Sequence, residues 1–131
     1  MPVRYEKLTN EPILIVTYTE PMLPAEDLTE VSQYTASLLD KMGGPLFRID
    51  DLSQVSATFN RLVEGLSAAI KREPGSALDP RVRPALVGSG PLARLIANGV
   101  KQPRYGGVDA PRFNTMEEAL AHARAEVFRT I

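Results

Sequence analysis

Residues Pro45 to Ile70, PLFRIDDLSQVSATFNRLVEGLSAAI, carry the pattern that most restricts how this chain can fold. Leu46, Phe47 and Ile49 form a short apolar run after the punctuating Gly43-Gly44-Pro45, and Phe59, Leu62, Val63, Leu66 and Ile70 then recur at helical spacing. A strand that passes through a polar turn into a helix is the unit of an open α/β sheet. Such sheets meet ligands and partners beyond the carboxyl ends of their strands, so the turn Asp50 to Thr58 is the first place to look for function.

The flanking sequence supplies the rest of a sheet. Val3 to Leu8 alternates apolar and polar residues, and the turn Thr9-Asn10-Glu11-Pro12 leads into Ile13 to Val16, which is apolar on both phases. This predicts an antiparallel hairpin with an edge strand first and a strand covered on both faces second. Leu28, Val31, Leu38, Leu39 and Met42 place one apolar face on a helix over Ala25 to Met42, with Gly43 as its C-cap. Beyond the turn cluster Glu73-Pro74-Gly75-Ser76, Ala85-Leu86-Val87 reads as a short strand, and Pro91 opens a short helix that contains Gly99. A further strand is expected near Tyr105 to Val108, and Thr115-Met116-Glu117-Glu118 reads as a capping box opening a last helix with Met116, Ala119, Leu120, Ala123 and Val127 inward. The order β-β-α-β-α-β-α-β-α predicts an α/β fold: a mixed central sheet of about five strands, an N-terminal antiparallel hairpin and four helices. No internal repeat or linker interrupts it, so residues 1–131 read as one domain.

Composition removes several functional classes. A length of 131 residues with 44% hydrophobic content is enough for one core without staples. The absence of cysteine excludes disulfides, thiolate catalysis and Cys-ligated metals, and fits a reducing cytoplasm. No apolar run has the length of a membrane span, and the opening MPVRYEKLTNEP lacks the order of a signal peptide, so no membrane partner is expected. A net charge of -1 argues against a nucleic-acid partner. A single histidine, His122, provides neither a metal cage nor a Ser-His-Asp set, and its place off the apolar face of the last helix predicts exposure. Without a P-loop or tryptophan, no metal, cofactor or catalytic residue is expected.

The charges are unevenly distributed. Residues 1–40 hold seven acids (Glu6, Glu11, Glu20, Glu26, Asp27, Glu30 and Asp40) against Arg4 and Lys7, whereas residues 80–108 hold Arg81, Arg83, Arg94, Lys101 and Arg104 with no acid. Such a split either steers partners and favours self-association into a homo-oligomer, or records only solvated faces.

Three local constellations have competing readings. Gly88-Ser89-Gly90-Pro91-Leu92-Ala93 spells G-x-G-x-x-A with Asp109 downstream, but no second mononucleotide half fits the remaining length. A looser reading is an anion site built from Gly88, Ser89 and Gly90 at a helix start with Arg81 and Arg83 nearby. Asp50 and Asp51 suggest a magnesium or acid-base pair; successive strand residues point to opposite faces, however, so an Asx-turn or capping role is expected instead. Arg48 shares a strand face with Leu46 and Asp50. Either that face is partly open to solvent, which is the expectation, or Arg48 pairs with an acid or ligand there.

The element order and two motifs resemble the STAS and SpoIIAA-like group, small α/β domains related to the bacterial anti-sigma-factor antagonists. Asp51-Leu52-Ser53-Gln54-Val55-Ser56-Ala57-Thr58 is similar to that group's D-L-S strand end and D-S-S-G-L turn, and Phe113-Asn114-Thr115-Met116-Glu117-Glu118-Ala119-Leu120 to its F-x-T-x-E-E-A helix opening. The resemblance implies a non-enzymatic regulatory or protein-interaction module, meeting a protein partner through Asp51, Ser53, Gln54, Ser56 and Thr58. Thr58 stands where the antagonists carry a phosphorylated serine, while Ser56 replaces the motif's Asp, Ala57 its first Ser and Phe59 its Gly. The alternative for Thr58 or Ser56 is a plain helix N-cap. The alternative function is a domain that binds a small molecule or anion, such as a nucleotide, phosphate or acyl ligand, at Arg81, Arg83 and Gly88 to Gly90.

Overall fold

A computed structural model of the chain describes residues 3–56 and 58–129. Strands β1 (Val3–Lys7) and β2 (Ile13–Tyr18) form the antiparallel hairpin, and Asn10 in its turn takes the left-handed φ of 62° that Asn tolerates. There follow α1 (Pro24–Met42), β3 (Leu46–Asp51), α2 (Phe59–Ala69), β4 (Val82–Val87), α3 (Pro91–Lys101), a 3-10 turn at Pro103–Tyr105, β5 (Arg112–Phe113) and α4 (Met116–Arg129). The five strands lie side by side in chain order, parallel throughout except between β1 and β2. β3 is therefore central and β1 is an edge. Among the described residues no helix is long and apolar enough to cross a membrane.

The two faces of the sheet carry different cores. Leu14, Val16, Leu46, Val82 and Leu86 pack beneath α1, α2 and α3, whereas Ile13, Phe47, Ile49, Ala85 and Val87 pack against Ala119 and Ala123 of α4. Ile13 to Val16 is buried throughout, as a strand covered on both sides must be. Thr115 caps α4, accepting from the Glu118 amide at 3.2 Å while its hydroxyl donates to the Glu118 carboxylate.

Four sequence expectations are corrected. Met42 is 39% exposed, whereas the rest of the expected α1 face packs inward, Val31 and Leu39 buried and Leu28 and Leu38 packed against the core, together with buried Ser32 and Thr35. Helix α2 is rotated from its expected register, because it buries Gly65, Ala68 and Ala69 and leaves Phe59 77% and Val63 50% exposed. The cause lies in its neighbour: a Cβ on Gly65 would come within 2.6 Å of Leu92, and one on Gly99 would collide with Leu66, so α2 and α3 pack closely at these two glycines. No strand forms near Tyr105 to Val108, where Gly106 and Gly107 take φ values of 128° and 62° and the Val108 amide donates to Val100 at 2.7 Å. The last strand lies later, at Arg112–Phe113. Finally, His122 is half-buried, its ring 5.1 Å from that of Phe113.

Gly75 holds the 73–79 loop against α1. Its φ is +80°, and a Cβ there would collide with the Ser32 carbonyl and approach the Ala36 amide nitrogen at 2.6 Å. Gly43 has nearly the same φ, +74°, but open space around it. Gly43→Ala is therefore expected to cost about 1 kcal/mol, the strain alone, and Gly75→Ala about 3 kcal/mol or more, strain plus backbone displacement. Urea denaturation midpoints of the two variants measure the difference, and equal losses would mean that the loop moves away from α1 freely.

Candidate functional site at the carboxyl edge of the sheet

The ends of β3 and β4 deliver two loops to one edge. The Leu52 amide donates to Val87 at 2.8 Å, and the Leu52 side chain is buried beneath the turn that follows β3. A Cβ on Gly88, φ +140°, would sit 3.4 Å from the backbone of Leu52 and Ser53, so the loop after β4 lies directly against that turn. This is the edge where parallel sheets place their contacts.

Within the turn, side-chain chemistry replaces regular backbone pairing. Asp51 accepts from the Ser53 amide at 3.0 Å and the Ser53 hydroxyl at 2.6 Å, an Asx turn. Ser56 donates both its amide and its hydroxyl to Glu20, each at 2.9 Å. Arg61 donates Nη1 to Glu20 at 2.6 and 2.7 Å and to the Ser56 carbonyl at 2.9 Å. Thr58 is the N-cap of α2, its hydroxyl accepting from the Arg61 amide at 3.3 Å. Ser53, Gln54, Ser56 and Thr58 are all exposed, and Ala57 lies outside the described residues. Glu20 thus ties the segment after β2 to the turn after β3. Neither Glu20 nor Arg61 was legible as a partner in sequence, since nothing local links side chains 41 positions apart.

The second set of candidates is not brought together. Gly88, Ser89 and Gly90 lie beyond the end of β4, with Gly90 as N-cap of α3, while Arg81 and Arg83 flank its first residue. At ~3.3 Å per residue, five strand residues put Arg83 about 16 Å from Gly88. Arg81 is engaged by Asp79 at 2.9 Å and Asp40 at 3.7 Å, and Arg83 donates to the Pro80 carbonyl. The cations beside the glycine loop are instead Arg94, which donates to the Ser89 carbonyl at 3.0 Å, and Arg112, which donates to the Gly88 carbonyl at 2.9 Å.

Asp50 and Asp51 diverge, as strand geometry requires. Asp50 faces inward with Arg48, correcting the expectation that Arg48 faces solvent: their residues are 5% and 3% exposed, with Nε and Oδ1 3.2 Å apart. Burial raises the Asp50 pKa and the Arg48 charge opposes that rise. Among the described residues there is no group of three or more His, Cys, Asp or Glu side chains that could hold a metal ion.

No protein-family model, curated protein or solved structure matches the chain.

Hydrogen bonds from Arg61, Met22 and Ser56 hold the Glu20 carboxyl down to about 2. A depressed acid stabilises the fold fully above its unfolded value, here 4.5, and ceases to do so as pH falls through the folded one. The Ser56 amide resonance is expected to titrate with a midpoint near 2, not near 4.5. Glu20→Gln should abolish that titration while Asp79, held at about 2 chiefly by its hydrogen bonds to Arg81, continues to titrate in the same window. A Ser56 midpoint near the ordinary carboxylate value would show the clamp open in solution.

Proposed function

We propose that this chain is a non-enzymatic regulatory or protein-interaction module of STAS/SpoIIAA-like type, working in the cytoplasm and meeting a protein partner with the 53–58 turn and the first turns of α2. One observation carries the reading. Phe59 and Val63, four residues apart on α2, present apolar side chains to solvent at 77% and 50% exposure, immediately beside the turn that Glu20 and Arg61 clamp. A Phe left that exposed gains nothing for the fold, whereas exposed aromatics beside ordered polar groups are the usual makings of an interface. Gln54 and the Ser53 hydroxyl lie on the same turn, and a pre-ordered turn loses little entropy when it binds. A second copy of the chain is one such partner, given its separate acidic and basic segments.

Phe59→Ala and Gln54→Ala are expected to release partners captured by the wild-type chain while leaving the melting temperature unchanged, and Arg104→Ala, in the 3-10 turn beyond α3, should retain them. Sedimentation equilibrium of the same variants reads self-association separately. Thr58→Ala is a poor probe of the interface, because loss of its cap should itself cost about 1 kcal/mol. Retention of every partner by both Phe59→Ala and Gln54→Ala would put the contact face elsewhere.

A second reading, an anion- or small-molecule-binding domain, draws on Arg94 and Arg112 flanking Gly88 to Gly90. Thermal shift against phosphate, nucleotides and acyl ligands separates the two: a native-state ligand at 100 times its Kd adds about 2.7 kcal/mol, and no shift across the panel leaves the interaction reading standing.

A further inference from the structure

Between the three-helix layer and the sheet lies a cavity of about 30 Å³, lined mostly by buried residues. Most of its wall is apolar, with Leu52, Ala69, Leu86 and Val100 among the contributors. Its polar lining comprises Ser32 and Ser76 on the helix and loop side and, on the sheet, Tyr18, Arg48 and Asp50, the last three 0%, 3% and 5% exposed. Each of the three presents one buried polar atom without a hydrogen-bond partner: the Tyr18 hydroxyl, Arg48 Nε and Asp50 Oδ1. Nε and Oδ1 are 3.2 Å apart, near enough to attract as charges, but the N–H is not aligned on the carboxylate. Arg48 Nη1 is spent elsewhere, donating to the Gly75 carbonyl at 2.6 Å and to Thr35 Oγ1 at 3.3 Å.

We propose that this cavity is a permanently hydrated internal site, in which about two water molecules bridge Tyr18 Oη, Arg48 Nε and Asp50 Oδ1. Three properties of the site select that guest. Arg48 and Asp50 are groups of opposite charge placed side by side, so the site offers no concentrated charge of one sign to offset the desolvation of an ion. The hydroxyl both donates and accepts, Nε–H only donates and the carboxylate oxygen only accepts, a set that suits a molecule able to do both. The volume admits about two waters and excludes any larger polar ligand. Water completes the hydrogen bonds that direct contact leaves unmade. It does so with Arg48 still holding the Gly75 carbonyl.

Relaxation dispersion of the water oxygen nucleus, recorded on the full chain, detects waters held longer than the protein tumbles. The wild type should show such waters, Tyr18→Phe fewer, and the paired replacement Arg48→Met with Asp50→Leu, which makes the wall apolar, fewer still. If the paired variant does not fold, an atomic-resolution crystal structure of the wild type decides alone. Density for water within hydrogen-bond distance of at least two of the three atoms supports the site. An empty cavity, a bound ion, or Tyr18 and Arg48 bonded directly to Asp50 overturns it, as does the same count of long-lived waters in the wild type and both folded variants.

Discussion

The Arg48–Asp50 pair is the interaction on which the arrangement of layers depends. It sits in the central strand of the sheet, where neighbouring positions are filled by Leu14, Val16, Leu46 and Leu86. Arg48 reaches from there to Thr35 on α1 and to the Gly75 carbonyl in the loop before β4, so one guanidinium joins strand, helix and loop. Removing one partner of such a buried pair leaves a charge without compensation and costs ~3–5 kcal/mol, far more than the pair adds relative to an apolar replacement. Through the Gly75 carbonyl it also fixes where the 73–79 loop meets the sheet. Gly75 then meets α1 with no room for a side chain, and Asp79, bonded to the Gly75 amide and to Arg81, closes the loop onto the start of β4.

The carboxyl edge is ordered by a different device. Its turn after β3 is held by Leu52 from below and by Glu20, Ser56 and Arg61 from the side. That ion pair is partly exposed, Arg61 at 25% and Glu20 at 36% of their side chains, and exposed pairs add little stability. It sets a shape more than it holds the fold together. That shape matters because α2 begins there with its largest apolar residue pointing outward. Close packing at Gly65 and Gly99 turns the helix so that Leu62 and Leu66 fill the space toward the core, and Phe59 and Val63 remain outside.

The fold is most legible in the sequence where one local rule decides the outcome. The hairpin at Thr9 to Pro12, the doubly covered strand at Ile13, the C-cap at Gly43, the Asx turn at Asp51 and the cap at Thr58 each follow from a few adjacent residues. It is least legible where two distant elements must fit each other. Helical spacing grouped Phe59 and Val63 with Leu62 and Leu66, and only the neighbouring helix decides which of these a helix buries. Arg48 looked like a solvent-facing residue because charge is the default mark of a surface; its buried acceptors lie 13 and 27 residues away.

Periodicity, turn residues and caps therefore determined the element order, the mixed sheet and the location of its carboxyl edge, since these depend on backbone preferences and on which residues leave water. Tertiary structure alone decided that Glu20 reaches the turn after β3, and that Arg48 and Asp50 share a cavity with Tyr18. Such contacts join residues that chain proximity does not relate. They exist only once the sheet has brought its strands into register and the helices have closed over it.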